Sequence, residues 1–345
     1  MRRSRWAAAA GLLAIAACGG GGGSGLADLT GTWLLTPVED AIPLDPIHLT
    51  LTQTGTSLSA ETTCNAEFPA GAGSWDGTTF SLVFDFGGGD ALTLTGAGFA
   101  AAIVGTFTAP EDAGTFLLLR TPETLDCAHA CDAVVVAPFV STDFTDLSLI
   151  EEISLFRSSA GHDYSDDCED CRSMKHYFAP YEKHRVNGVV PVRSPVAGQI
   201  VSITAEGHGA SPPGFNKQVR IRSSLRPEVT FILFHTDLAP GVEAGDVVAA
   251  GDAIGTARMY YDDLLETAHD FDVAVRVHTL YGDRYVSWFD VVTDGLFATY
   301  VARGASARSD FVITQAARDA DALTCAGDAF TSVGVLPQWF VLDPP

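Results

Sequence analysis

Positive charge is scarce in this 345-residue chain: 20 lysines and arginines stand against 43 aspartates and glutamates, a formal charge of −23. Such a surface repels nucleic acid and the phosphates of anionic lipids, so no nucleic-acid partner is expected. The acidity is spread along the chain and not gathered into blocks, which points to a solubilising face more than to a specific cationic partner. Several catalytic signatures are missing too. There is no Ser-His-Asp order with a nucleophile elbow, no phosphate-cradling glycine loop and no paired-glutamate glycosidase pattern. The apolar run at the amino end, about a dozen residues, is too short to cross a bilayer as a helix.

That run has a different use. "MRRSRWAAAAGLLAIAAC" has a basic head, an apolar middle and small residues before Cys18, the layout of an export signal. Ile15-Ala16-Ala17-Cys18 resembles the lipobox of bacterial lipoproteins. The resemblance implies cleavage after residue 17, lipidation of Cys18, and a place in the bacterial cell envelope, membrane-anchored through the lipid only and facing the periplasm or exterior. An ordinary signal peptide with a chance cysteine is the plainer alternative. Residues 18–25 then form a glycine-rich tether with no side chains to pack.

Seven cysteines fit an oxidising compartment. With Cys18 set aside, Cys64, Cys127, Cys131, Cys168, Cys171 and Cys325 allow up to three disulfides, in any of fifteen pairings. Cys168 or Cys171 joined to Cys325 would pin the acidic loop between them. "CAHAC" and "CEDC" also allow a four-thiolate zinc site, although the first pair lacks the usual two-residue gap.

The fold class expected is mainly β, in two parts. Residues 26–121 repeat short alternating runs between Gly-rich turns ("GTWLLTP", "IHLTLTQTGTSLSAET", "TTFSLVFDFGGG"), which predicts a small antiparallel barrel or sandwich. "GTW" in the first strand and "GTFLLLR" in the last resemble small lipocalin-like barrels. Such a barrel can hold a ligand, but a filled core is the expectation. His48 is expected on a strand surface. Residues 122–149 read as a connector, and 150–345 as the half that carries chemistry, a β-sheet domain with a few helices.

In that half, "HDYSD" spaces His162 and Asp166 four apart. "SPVAGQIV" follows, then "FHTDL" and "GDVVAAGDAIG", then "AHDFDV", an alternating strand with Ala268, Asp270 and Asp272 on one face. In this order the segments resemble the lysostaphin or LytM-type zinc peptidases, which cleave peptidoglycan cross-links, over Ser159 to Val277. The resemblance implies that His162 and Asp166 are metal ligands and that His235 is the catalytic histidine. At the last motif the family's two histidines fall on Ala268 and Asp270. The third ligand would therefore be Asp270, and a hydrogen-bond donor to the oxyanion would be lost at position 268.

A His162, Asp166, Asp270 set can bind a divalent metal, zinc first, as a harder and more anionic site than the family's. His176 or Glu169 could complete the shell; the plainer reading leaves His176 exposed. An EF-hand over Asp163, Ser165, Asp167 and Glu169 fails for want of the turn glycine and the terminal glutamate. Losing an oxyanion donor or general acid typically costs on the order of 10²- to 10⁴-fold in rate. The expectation is a degenerate module that binds peptidoglycan or an envelope protein. The alternative is an active metal-dependent peptidoglycan endopeptidase. Trp288 is expected to pack, and "TDGLFATYV" to form an amphipathic helix with Leu296, Phe297, Tyr300 and Val301 on its apolar side.

Overall fold

The computed structural model describes residues 26–345, apart from 40–41, 44–46, 63–68, 110–112, 122–130, 206–213, 262–265, 268 and 280. Cys18, Cys64, Cys127 and Ala268 lie outside the described residues. No helix among the described residues is long and apolar enough to cross a membrane.

The protein is mainly β: a closed antiparallel barrel and a second, mixed-length sheet. The barrel comprises β1 (Gly31–Glu39), β2 (Ile42–Pro43), β3 (Ile47–Thr54), β4 (Ser57–Thr62), β5 (Gly71–Trp75), β6 (Thr79–Gly87), β7 (Asp90–Phe99), β8 (Ala102–Thr108) and β9 (Ala113–Arg120). The strands pair in sequence, the short β2 caps the end of β1, and β1 closes onto β9 with Trp33 opposite Arg120. Alternation does the sorting. Leu49 and Leu51, Leu58 and Ala60, Phe80, Leu82 and Phe84 all turn inward.

Trp33 and Trp75 are fully buried in this core, and their indole N–H groups donate to Leu29 O at 2.7 Å and Ala27 O at 3.0 Å. The residues leading into β1 are thereby tied to the barrel. A row of aromatics this large fills a small barrel, so the interior is core. Gly105 on β8 makes the tight packing possible: a Cβ there would lie 2.1 Å from Thr95 O and 2.8 Å from the Phe116 ring. His48, expected at the surface, is buried on β3.

The second sheet contains β10 (Ile150–Ser154), β11 (His176–Pro180), β12 (Pro191–Arg193), β13 (Gly198–Ala205), β14 (Lys217–Ser223), β15 (Val229–Leu238), β16 (Val247–Val248) and β17 (Ala253–Ala257). After the two-strand pair β18 (Tyr260–Tyr261) and β19 (Glu266–Thr267), it continues with β20 (Phe271–Thr279) and β21 (Gly282–Val286). The main path runs β16-β13-β14-β15-β20-β11-β10, and the C-terminal β24 (Trp339–Val341) pairs with β10. Between them lie α1 (Trp288–Val291), α2 (Asp294–Val301), α3 (Gln315–Ala320) and the hairpin β22 (Cys325–Ala326) and β23 (Ala329–Phe330).

One face of this sheet packs Phe178, Phe231, Leu233, Phe271, Val273 and Val275 against Phe144 and Trp288. Trp288 is core and not a groove wall. Leu296, Phe297 and Tyr300 of α2 are buried as expected, whereas Val301 is exposed. The stretch after α2 folds as the short α3 and a hairpin, and Asp321 at the end of α3 accepts from the Val335 and Leu336 N–H groups beyond the hairpin.

A buried polar chain runs through this core: Trp288 Nε1 donates to Tyr300 Oη at 3.2 Å, and Tyr300 Oη donates to Asp143 Oδ2 at 2.6 Å. Burial outweighs these bonds and raises the Asp143 carboxyl to about 6. A carboxyl raised on folding stabilises the fold below its unfolded value of 3.8, and that contribution is lost as pH rises through about 6. Asp143→Asn is therefore expected to gain on the order of 1–3 kcal/mol relative to wild type between pH 4 and pH 7.5. Thermal melts of both proteins at the two pH values check this, and parallel profiles would refute it.

Candidate functional site

The site grows from the face of β20 opposite the core. Phe271, Val273 and Val275 point inward, so Asp272 and Ala274 face the other way, where Ala274 joins Ile232 and Phe234 of β15 in a small apolar cluster with Tyr164 and Tyr285 against it. Asp272 is fully buried there. A buried carboxylate needs a cation, and Lys175, itself 1% exposed, supplies it, with Nζ 2.5 Å from Asp272 Oδ2. Register explains the meeting: Tyr177 on β11 lies opposite Asp272, and Lys175 immediately precedes that strand.

Three aromatic rings enclose the ammonium, Phe234 at 4.3 Å and Tyr164 and Tyr177 at 4.8 Å. Its other polar partner is His162, whose Nε2 lies 3.1 Å from Nζ. His162 Nδ1 donates to the Asp163 carbonyl at 2.7 Å, so Nε2 carries the lone pair and accepts from the lysine. Burial, then the charge of Lys175, lowers the His162 pKa and keeps the ring neutral.

His235 approaches from β15. Between Leu233 and Thr236 this strand holds one residue more than β14 does between Val219 and Lys217, a bulge. His235 takes a left-handed φ of 50° there, which breaks the alternation that would send its ring to the far face. Its Nδ1 donates to the Asn216 side-chain oxygen at 3.1 Å, and Nε2 stops 3.6 Å from Asp272 Oδ1. The ring is 24% exposed, enough to meet a ligand. Asp272 Oδ1 accepts no hydrogen bond among the described residues.

Asp270 lies beside this cluster. Burial, and next the charge of Asp272, raises its carboxyl to about 7, with Lys175 and Arg185 pulling the other way. Asp166 is committed elsewhere: it accepts from the backbone N–H groups of Cys168 at 2.9 Å, Glu169 at 3.2 Å and Tyr285 at 3.1 Å. Glu169 is clamped between Arg157 and Arg172, at 2.5 and 2.9 Å. His176 is buried, not exposed, with Nδ1 2.7 Å from Ser154 O and Nε2 2.8 Å from Ser287 Oγ, and burial lowers it to about 4.

The site thus brings together His162, His235 and, through its charge, Asp270. Asp166 does not share it, and Lys175, Asp272, Tyr164 and Asn216 are additions that the motif comparison missed. The alternation of "DFDV" put Asp272 on the face of Asp270, but a lone lysine in "SMKHYF" carries no signal of its own. A metal does not fit these residues as they stand. The His162 lone pair and Asp272 both point at an ammonium, and no group of three His, Cys, Asp or Glu side chains among the described residues is arranged to hold an ion.

Two disulfides brace the loop that carries His162, Cys131–Cys168 and Cys171–Cys325. Three of the four cysteines considered for a thiolate zinc site, Cys131, Cys168 and Cys171, are therefore oxidised, and Cys325 does pin the loop. An open groove of about 610 Å³ runs beside β15, lined by Asn187, Phe215, Asp237, Leu238, Pro240 and Arg258 among others. Arg258 pairs with Asp237 at 3.2 Å and lies over the Phe215 ring at 5.5 Å. Its backbone N–H donates to His235 O at 2.6 Å, which joins groove and site.

No family model matches the chain, and no curated protein does. Among solved structures, a crystal structure from Pseudomonas aeruginosa whose name assigns it to peptidase M23 aligns with 74% of this chain and 87% of that chain, at 10% identity and a TM-score of 0.23.

Proposed function

We propose that the chain is a bacterial cell-envelope lipoprotein, anchored through Cys18, whose C-terminal sheet is a degenerate LytM-like module that binds peptidoglycan or an envelope protein without cutting it. The observation that carries this reading is Lys175: its ammonium fills the position toward which His162 and Asp272 point, and Asp166 is spent on backbone N–H groups. Without a metal-activated water the domain lacks a nucleophile for a peptide bond. The groove along β15 offers an aromatic wall at Phe215 and the Arg258–Asp237 ion pair to a peptide or glycan chain.

The test is sedimentation of the full chain with purified peptidoglycan sacculi, with and without EDTA. Expected are co-sedimentation that EDTA leaves unchanged, several-fold weaker binding of Phe215→Ala, and no release of soluble muropeptides. Muropeptide release abolished by EDTA would overturn it.

A second reading, a metal-dependent peptidoglycan endopeptidase, draws on His235, a partly exposed imidazole held in a left-handed backbone conformation beside an unbonded carboxylate oxygen. Strain of this kind gathers at functional sites. Hydrolysis lost on His235→Ala would favour it.

A further inference from the structure

Around Lys175 the surrounding atoms have the chemistry of a metal shell. His162 presents a neutral imidazole lone pair at Nε2, because Nδ1–H is held by the Asp163 carbonyl. Asp272 presents a buried carboxylate whose Oδ1 has no hydrogen bond, and His235 Nε2 stands 3.6 Å from that oxygen with its Nδ1 held by Asn216. A second-shell acceptor on the far nitrogen of each histidine is what orients imidazole ligands toward an ion. Lys175 Nζ donates to His162 Nε2 at 3.1 Å and stands 2.5 Å from Asp272 Oδ2 as an ion pair. Zinc would need about 2.0–2.2 Å to the same atoms.

We infer that Lys175 is a built-in cation standing in for a divalent metal, and that His162, Asp272 and His235 form a latent two-histidine, one-carboxylate metal site which the lysine side chain keeps closed. A tethered ammonium cannot be chelated or exchanged, and it carries one positive charge without Lewis acidity. The carboxylate is therefore neutralised without any metal supply, by a cation that is inert toward water activation. This inference does not depend on what the groove binds: a chain that ignored the cell wall would still hold the lysine in this way.

The test is zinc uptake by the full chain and by Lys175→Ala, each expressed in zinc-supplemented medium, dialysed and measured by mass spectrometry, with thermal melts alongside. The wild type is expected to retain no stoichiometric zinc, and EDTA to leave its Tm unchanged. Lys175→Ala is expected to hold about one zinc per chain, to gain Tm with zinc and lose it with EDTA, and to lose both responses when Asp272→Ala is added. A wild type with one tightly held zinc, or a folded Lys175→Ala with none, overturns the inference. Should Lys175→Ala be recovered only in the presence of zinc, that dependence counts as uptake. Should zinc fail to recover it while Lys175→Met, which fills the cage, folds, the inference is overturned.

Discussion

Replacing Asp272 with alanine is expected to lower the stability of the C-terminal domain by about 3–5 kcal/mol, the cost of leaving a buried charge uncompensated. Among the described residues Lys175 pairs with no other carboxylate; its remaining partners there are a neutral imidazole and three rings. Cation–π contacts contribute roughly 0.5–2 kcal/mol each at best, too little to replace a carboxylate in a site closed to water. In a domain of this size, each kcal/mol moves Tm by about 2–4 °C, so a fall on the order of 10 °C is expected in a thermal melt. The double variant Lys175→Met, Asp272→Leu is expected to regain most of the loss, because a buried ion pair exchanged for apolar groups of similar volume is often neutral. Equal losses in the single and double variants would show that packing, and not charge, is at stake.

The second large effect concerns the covalent braces. Cys171–Cys325 spans a sequence separation of 154 residues and Cys131–Cys168 one of 37. In the chain-entropy view, closing the longer loop stabilises by about 5 kcal/mol and the shorter by about 4 kcal/mol. Cys171→Ser with Cys325→Ser is therefore expected to cost more than Cys131→Ser with Cys168→Ser. The longer brace also fixes the loop of His162, since Cys171 lies between the Asp163 turn and Lys175, and Asp163 Oδ1 accepts from Arg172 N–H at 3.0 Å. Urea titration of both double serine variants measures the order. The reverse order would mean that native-loop contacts, not chain entropy, set the stabilisation.

The residues picked out by the peptidase motifs are placed differently by the fold, for a geometric reason. His235 and His162 each sit in a short local pattern, and the fold brings both to the Lys175–Asp272 pair. Asp166 closes a turn instead of joining them: its carboxylate accepts from Cys168 and Glu169 N–H groups just ahead of it. Asp270 and Asp272 share a face of the strand, and which of them meets the cation depends on the register of β11 against β20. His176 in the same acidic stretch turned into the sheet interior because it begins β11, where every residue is buried.

By itself the sequence determined what depends on local pattern. Alternating apolar runs between glycine-rich turns determined the barrel, the "GDVVAAGDAIG" spacing and "FDVAV" alternation determined the second sheet's strands and inward faces, and the count of cysteines pointed to disulfides. Only the tertiary structure decided which cysteines joined, which cation neutralised Asp272, and that one extra residue in β15 turned His235 toward the cleft. These are pairings between segments distant in the chain. Strand register and loop closure select them, whereas composition and periodicity act only along it.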